Sequence, residues 1–319
     1  MKIAVVGSGR WGTFIAWYLS RKFNEVYLFG RETSQKFNTL RETRQNEFVK
    51  LNDNIVLSSD FSMLSNFDII VISISSQSLR QFLSSVDNEV LKTKKIILCM
   101  KGIEVETGER LTEVAISSGV EKQNVAVWLG PGHIQEFIKG KPNCMVIDSY
   151  NAELTKYLAD TLKTDLIRFY YGEDIIGNEM GAAAKNVLGI VAGLLDGADL
   201  QTLKGPLMAR GAREVARLIK AMGGNELSAY GLCHLGDYET TLFSPYSNNR
   251  RYGEAFIKGE KFDKLAEGVM TTKALMNLSK EYNVEMPIVE SAYAILFEGK
   301  DAVNELTKLF NRSIKREFV

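Results

Sequence analysis

Cysteine, proline and net charge are all scarce in this chain. Its three cysteines, Cys99, Cys144 and Cys233, are odd in number and fall at no metal-ligand spacing, so no metal site is expected. Two of them lie in apolar strand-like runs, where a small buried thiol is the ordinary reading. A reducing cytoplasm fits that usage best. Lysine plus arginine equals aspartate plus glutamate at 39 each, so no global field selects nucleic acid or anionic lipid as a partner. An anionic substrate would have to be recognised by local groups. Long hydrophobic runs are missing too. The longest apolar stretch, Ala182 to Leu195, is interrupted by Lys185 and Asn186 and is too short to span a bilayer, so no stable membrane insertion is expected. Strand-like residues begin at Lys2, which leaves no room for a signal peptide. No segment repeats and none is low in complexity. With five prolines, 45% hydrophobic and 24% charged residues, the remainder is the composition of an ordinary soluble globular protein.

At 319 residues the chain has room for about two domains. Short apolar runs recur through the first half, at Ile3–Val6, Val26–Phe29, Ile55–Leu57, Ile69–Ile72, Lys95–Met100, Val125–Leu129, Cys144–Ile147 and Leu166–Tyr170. Several are apolar on consecutive residues, as a strand covered on both faces requires. Helix-period connectors such as Thr13–Lys22 and Gly108–Ser118 lie between them. That alternation predicts an α/β fold with a doubly wound sheet over residues 1–176. Beyond about residue 175 the strand-like runs stop. Helical stretches follow at Glu179–Leu195, Pro206–Met222, Asp263–Tyr282, Pro287–Phe297 and Asp301–Phe310. Pro206 and Pro287 stand where helices begin, and Gly223-Gly224 where one ends. Residues 177–319 therefore read as an all-α domain.

The turn after the first strand reads Gly7-Ser-Gly9-Arg-Trp-Gly12 and opens a helix. The first glycine permits a tight turn, the second lets backbone approach a pyrophosphate, and the third lets helix and strand pack closely. The helix N-terminus adds the positive end of its dipole. In strand–turn–helix context this predicts dinucleotide binding in a Rossmann-type domain. An acid at the end of the second strand would bond the ribose 2′-hydroxyl of NAD. Here the strand ends Leu28-Phe29-Gly30-Arg31, and a cation at Arg31 can pair with a 2′-phosphate, which favours NADP or tolerance of both cofactors.

In open α/β sheets, ligands bind beyond the carboxyl ends of the strands. Three loops there are suited to contact: Ser73–Gln77, Lys101-Gly102 and Gly130-Pro-Gly132-His133. Lys101 directly follows a strand, so its ammonium would project over the crevice. Lys185 stands inside an apolar helix, where desolvation pulls its pKa towards values useful for proton transfer unless a carboxylate keeps it charged. Hydride transfer to a carbonyl needs a cation that stabilises and protonates the oxygen, a role Lys185 can fill with Lys101 polarising the same atom. Asp237, in His234–Thr241, could hold Lys185; a turn aspartate or helix cap is the plainer alternative. Ser247-Asn-Asn-Arg250-Arg251 offers a hydroxyl, amides and guanidinium groups in one short loop, suited to a phosphate.

Taken together, VVGSGRWGT, KGIEVETG, LGPGH, GAAAKNVLGIVAGLLDG, HLGDYETT, SNNRRYG and EGVMTTKALMNLSKEYNVEMPI resemble the bacterial-type NAD(P)-dependent glycerol-3-phosphate dehydrogenases over nearly the whole chain. The resemblance implies reduction of dihydroxyacetone phosphate, a small phosphorylated triose, to sn-glycerol 3-phosphate for phospholipid synthesis, with NADP(H) or NAD(H). It implies Lys185 as the proton donor and acceptor, beside Lys101 and Asp237. Cofactor contacts would come from Gly7, Gly9, Arg10, Trp11, Gly12, Arg31, Lys101, Ile134, Leu265 and Glu267. Substrate contacts would come from Lys101, Gly130, Gly132, Lys185, Asp237, Ser247, Asn248, Asn249 and Arg250, with the loop Gly130–Ile134 closing over the substrate. A homodimer through the helical domain is consistent with this kind of enzyme. Three positions depart from the family pattern: Asn248 replaces an arginine, Gly132 a serine and Ser75 a proline. A reductase of another small hydroxy or keto compound, and a non-catalytic dinucleotide sensor, are the competing readings.

Overall fold

The computed structural model describes residues 1–309, 311–313, 316 and 317. Its first half is one eight-stranded sheet: β1 (Ile3–Val6), β2 (Val26–Phe29), β3 (Ile55–Ser58), β4 (Ile69–Ile72), β5 (Lys95–Leu98), β6 (Val125–Leu129), β7 (Asn143–Ser149) and β8 (Ile167–Tyr171). The order across the sheet is β3-β2-β1-β4-β5-β6-β7-β8. All neighbours run parallel except β6 and β7, whose connection carries no full crossover helix. Successive strands step outward from β1 in opposite directions, so the sheet switches direction between β1 and β4. Residues of β1 alternate between two cores: Ile3 and Val5 join one cluster with Phe14 and Ile15, Ala4 and Val6 the other with Ile70 and Ile72. Burial on both faces is why the strands read as unbroken apolar runs.

The connecting helices are α1 (Arg10–Ser20), α2 (Gln35–Thr43), α3 (Leu79–Leu83), α4 (Asn88–Thr93), α5 (Leu111–Ser117), α6 (Ile134–Phe137) and α7 (Ala152–Leu162). The second half is helical: α8 (Ile175–Gly197), α9 (Lys204–Ala221), α10 (Asn248–Ile257), α11 (Glu267–Glu281), α12 (Pro287–Phe297) and α13 (Ala302–Lys308). Pro287 opens α12, and Gly223 follows α9 at φ +85°. Pro206 stands in the first turn of α9 rather than at its first residue. The expected end of the last helix, Phe310, lies outside the described residues. The expected loop Ser247–Arg251 is instead the start of a helix, because Ser247 Oγ accepts the Arg250 amide and caps α10.

Helix α8 is the axis of this half, buried at Gly177 and at every residue from Glu179 to Leu195. Helix α10 crosses it at backbone contact. A Cβ on Gly193 would sit 1.9 Å from the Arg250 carbonyl oxygen, and one on Gly253 2.1 Å from that of Ile190. Two further polar anchors tie the halves together. Glu179 of α8 accepts from Arg110 (2.7 Å) and from the Thr112 amide (2.9 Å) at the start of α5. Ser76 Oγ donates to Glu267 Oε2 at 2.5 Å. Among the described residues no helix is long and apolar enough to cross a membrane, and no group of three candidate side chains could hold a metal.

Candidate active site

The glycine turn sits at the carboxyl edge of β1, beside the switch point. Gly7 has φ +113°, and a Cβ there would lie 2.2 Å from the Ser73 carbonyl oxygen; one on Gly12 would lie 1.9 Å from that of Gly7. Packing alone therefore demands both glycines. Gly9 differs: a Cβ there would meet nothing within 4 Å. The space above it is open to a group from outside, and the first turn of α1 carries no acidic residue and no side-chain cap. Free amides at a helix start with room above them suit a phosphate. Arg10, the next residue, lies over the Phe48 ring at 4.5 Å with its Nε buried and unpartnered. These features fit a dinucleotide.

Beyond β5, Lys101 Nζ donates to the Gly130 carbonyl (2.6 Å) and to Asp237 Oδ2 (2.7 Å). Lys185, from the middle of α8, reaches that same oxygen at 3.0 Å and donates to Thr241 Oγ1 at 2.7 Å. One buried carboxylate thus holds two ammonium groups that are 84 positions apart in sequence. Burial pushes Lys185 down to about 8; Asp237 opposes the fall and Lys101 adds to it. For Asp237 burial acts upward, yet the two lysines and the Thr240 hydroxyl outweigh it and hold the carboxyl below its ordinary range. The Asp237 turn is itself anchored. His234 Nδ1 donates to the Gly181 carbonyl at 2.8 Å, which leaves Nε2 to accept from the Tyr238 hydroxyl at 2.7 Å. Burial pushes this imidazole down to about 4, so it is neutral.

A chain of amides fixes the lysines relative to α10. Asn186 donates to the Lys101 carbonyl (2.9 Å), Asn249 donates to Asn186 Oδ1 (3.0 Å), and the Gly268 amide donates to Asn249 Oδ1 (3.0 Å). Asn186 and Thr241 complete the cluster although sequence reasoning gave them no role. The signal for Asn186 was present, since it is the second polar residue interrupting the apolar helix.

The other expected site residues divide into three groups. Trp11 packs on Phe14, and Gly130 carries φ +122° at the turn that receives Lys101. Gly132 leaves room for the Phe137 ring, which a Cβ would approach to 2.5 Å. Arg31 is exposed at the end of β2. A second group is engaged within the protein. Arg250 Nε pairs with Asp196 at 2.8 Å, Ser247 caps α10, and the Ile134 side chain lies in the core. Glu267 is bound by Ser76. Finally, Asn248 donates to the Leu265 carbonyl at 3.2 Å while its Oδ1 stays buried and unpartnered, and the Leu265 side chain is exposed.

Comparison with known proteins gives the family. The family model described as NAD-dependent glycerol-3-phosphate dehydrogenase N-terminus matches residues 2–155, and its C-terminus counterpart matches residues 174–307. Glycerol-3-phosphate dehydrogenase (NAD(P)+) of Chlorobium limicola is 34% identical over 331 aligned positions, covering 99% of both chains. That of Fusobacterium nucleatum is 34% identical, covering 99% of this chain and 98% of the relative. A crystal structure of glycerol-3-phosphate dehydrogenase from Coxiella burnetii superposes with a TM-score of 0.88 at 27% identity, over 98% of this chain and 99% of that one. Since models of both halves match, and since relatives of the same length keep a third of its residues, this chain belongs to the NAD-dependent glycerol-3-phosphate dehydrogenase family.

Proposed function

We propose that this chain catalyses the reversible, NAD(P)H-dependent reduction of dihydroxyacetone phosphate to sn-glycerol 3-phosphate, supplying glycerophospholipid synthesis. The observation that carries the reading is the pair of lysines sharing one oxygen of buried Asp237, at 2.7 and 3.0 Å, beyond the sheet edge that carries the glycine turn. Residues 1–176 act as the dinucleotide-binding unit and residues 177–319 as the substrate unit. Gly7, Gly9, Gly12 and the first turn of α1 hold the cofactor's phosphates, with Arg10, Trp11, Arg31, Lys101, Ile134, Leu265 and Glu267 around it. When bound, the reduced nicotinamide supplies the hydride.

The chain's own residues handle the oxygen. Lys101 polarises the carbonyl, and the Lys185 ammonium gives that oxygen a proton as negative charge develops on it. The neutral amine that remains is held by Thr241 and Asp237 until it is reprotonated from solvent. In the oxidative direction the same amine removes the hydroxyl proton. Gly130, Gly132, Ser247, Asn248, Asn249 and Arg250 surround the substrate. A homodimer suits the reading, and the three free thiols suit a reducing compartment such as the cytoplasm.

The test is the loss of nicotinamide absorbance when purified protein meets dihydroxyacetone phosphate with NADPH, and with NADH in parallel. Substrate-dependent loss is the expected result, faster with NADPH if Arg31 reads a 2′-phosphate. Cofactor binding without turnover would favour another keto substrate or a sensor.

A further inference from the structure

His133 follows β6 and stands just before α6, its carbonyl accepting the amides of Glu136 and Phe137. The loop around it is held firmly. Gly130 receives Lys101, Gly132 is seated on Phe137, and a Cβ on Gly132 would lie 3.6 Å from Trp11 of the cofactor turn. The imidazole meets the Tyr246 ring edge-on at 5.6 Å, so it bridges from the sheet domain to the segment that leads into α10. Its Nε2 is buried and has no hydrogen-bond partner. Arg10 Nε and Asn248 Oδ1, on the two neighbouring segments, share that condition. An unpartnered buried polar atom is costly, and a ligand that reaches Nε2 would satisfy it.

The charges facing this imidazole identify the ligand's class. Among the described residues they include Lys101, Lys185 and Arg10 and the carboxylate Asp237; half-buried Glu136, on the helix that follows, is already paired with Lys139 and Lys141. These cations outnumber the carboxylate, so the surroundings of the ring are net positive and favour an anion such as a phosphate monoester. In the free protein burial holds the His133 imidazole below its ordinary range; Asp237 opposes the fall and the cations add to it. A phosphate dianion among them would cancel the repulsion that opposes a charged ring, and its oxygens would accept a hydrogen bond from a protonated Nε2.

We propose that His133 recognises the phosphoryl group of the substrate through Nε2, taking up one proton from solvent as the anion binds. This rests on the functional reading above as to which phosphate ester is bound. It gives the recognition loop a cationic donor where residue 132 has no side chain and where Arg250 is committed to Asp196.

The test is calorimetric titration of the NADPH-bound protein with sn-glycerol 3-phosphate, a pair that cannot react, at pH 7 in buffers of different ionisation enthalpy. Wild type is expected to take up close to one proton per site. His133→Asn and His133→Gln are expected to lose most of that uptake and to bind the anion roughly tenfold to a hundredfold more weakly, with NADPH affinity unchanged. Equal uptake and equal affinity in both variants would overturn the proposal. So would a loss that falls on NADPH alone. Inorganic phosphate serves as the second probe. His133-dependent uptake with phosphate, in a protein that neither binds sn-glycerol 3-phosphate nor reduces dihydroxyacetone phosphate, would sink the functional reading and leave this site standing.

Discussion

The glycine turn between β1 and α1 and the middle of α8 serve one crevice by opposite means. The turn contributes backbone amides and empty space; its chemistry lies in side chains that are missing. Helix α8 contributes a charged side chain in a buried setting, kept there by one carboxylate that it shares with a second lysine. The first device needs only local geometry, so six consecutive residues suffice for it. The second needs groups from two distant segments, the turn Asp237–Thr241 and the strand end at Lys101, because a buried ammonium is tolerated only when a carboxylate compensates it. Recognition by backbone is insensitive to pH, whereas proton transfer by a desolvated lysine is tuned by everything around it.

The sharpest way to break this contrast is Lys185→Met, which keeps volume and removes the charge. Turnover is expected to fall about 10²–10⁴-fold, with cofactor affinity unchanged by fluorescence titration. Melting temperature should hold or rise, since a desolvated charge is gone. Retained turnover would refute the assignment of Lys185 as proton donor.

A smaller effect separates charge from geometry. Lys185 lies at about 8 and reduction uses its protonated form, so the reduction rate should be level below pH 8 and fall above it. Oxidation uses the neutral amine and should rise through the same range. Asp237 is the group that holds this value up, so Asp237→Asn should move the falling limb of reduction to lower pH, by about one unit. A limb that stays in place would show that the carboxylate only positions Lys185.

The smallest effects divide the turn itself. Gly12→Ala brings a Cβ to 1.9 Å from the Gly7 carbonyl oxygen and should cost roughly 2–4 kcal/mol of stability by denaturant titration. Gly9 has φ −72° and open space, so Gly9→Ala should change stability by less than about 0.5 kcal/mol while weakening cofactor binding. Equal stability loss in both would erase the distinction between packing glycines and a recognition glycine.

All eight strands were visible in the sequence. The central ones are buried on both faces, where a continuous apolar run leaves few alternatives. The edge strands β3 and β8 are fully buried only at Ile55 and Ile167 and were read from their β-branched and aromatic residues. Their ends were less visible: β7 begins at Asn143 and extends to Ser149, through polar residues that mark no boundary. Lys185 was legible as an anomaly within its helix, and its tie to Asp237 was one of two open alternatives until the fold joined them. The conformation of Ser247–Arg251, the segment proposed to meet the substrate, was misread for a physical reason. Read as a loop, Ser247–Arg251 can turn all its polar groups towards one ligand. As the first turn of α10 it projects them in different directions: Arg250 to Asp196, Asn249 to Asn186 and Asn248 to the Leu265 carbonyl. A single cap, Ser247, decides between these outcomes, and its signal is no stronger than that of any serine before a polar run.

The crossing of α8 and α10 has a mechanical consequence. Where Gly193 and Gly253 meet the opposite backbone there are no rotamers to relax and no methyl groups to slide, so the joint is hard rather than compliant. Heat, pressure or a remote substitution can rotate a side-chain contact by small increments; this one holds its spacing or opens. Lys185 on one helix and Asn249 on the other are therefore held at a spacing that this backbone contact sets. The reacting groups inherit their precision from two residues that have no side chain.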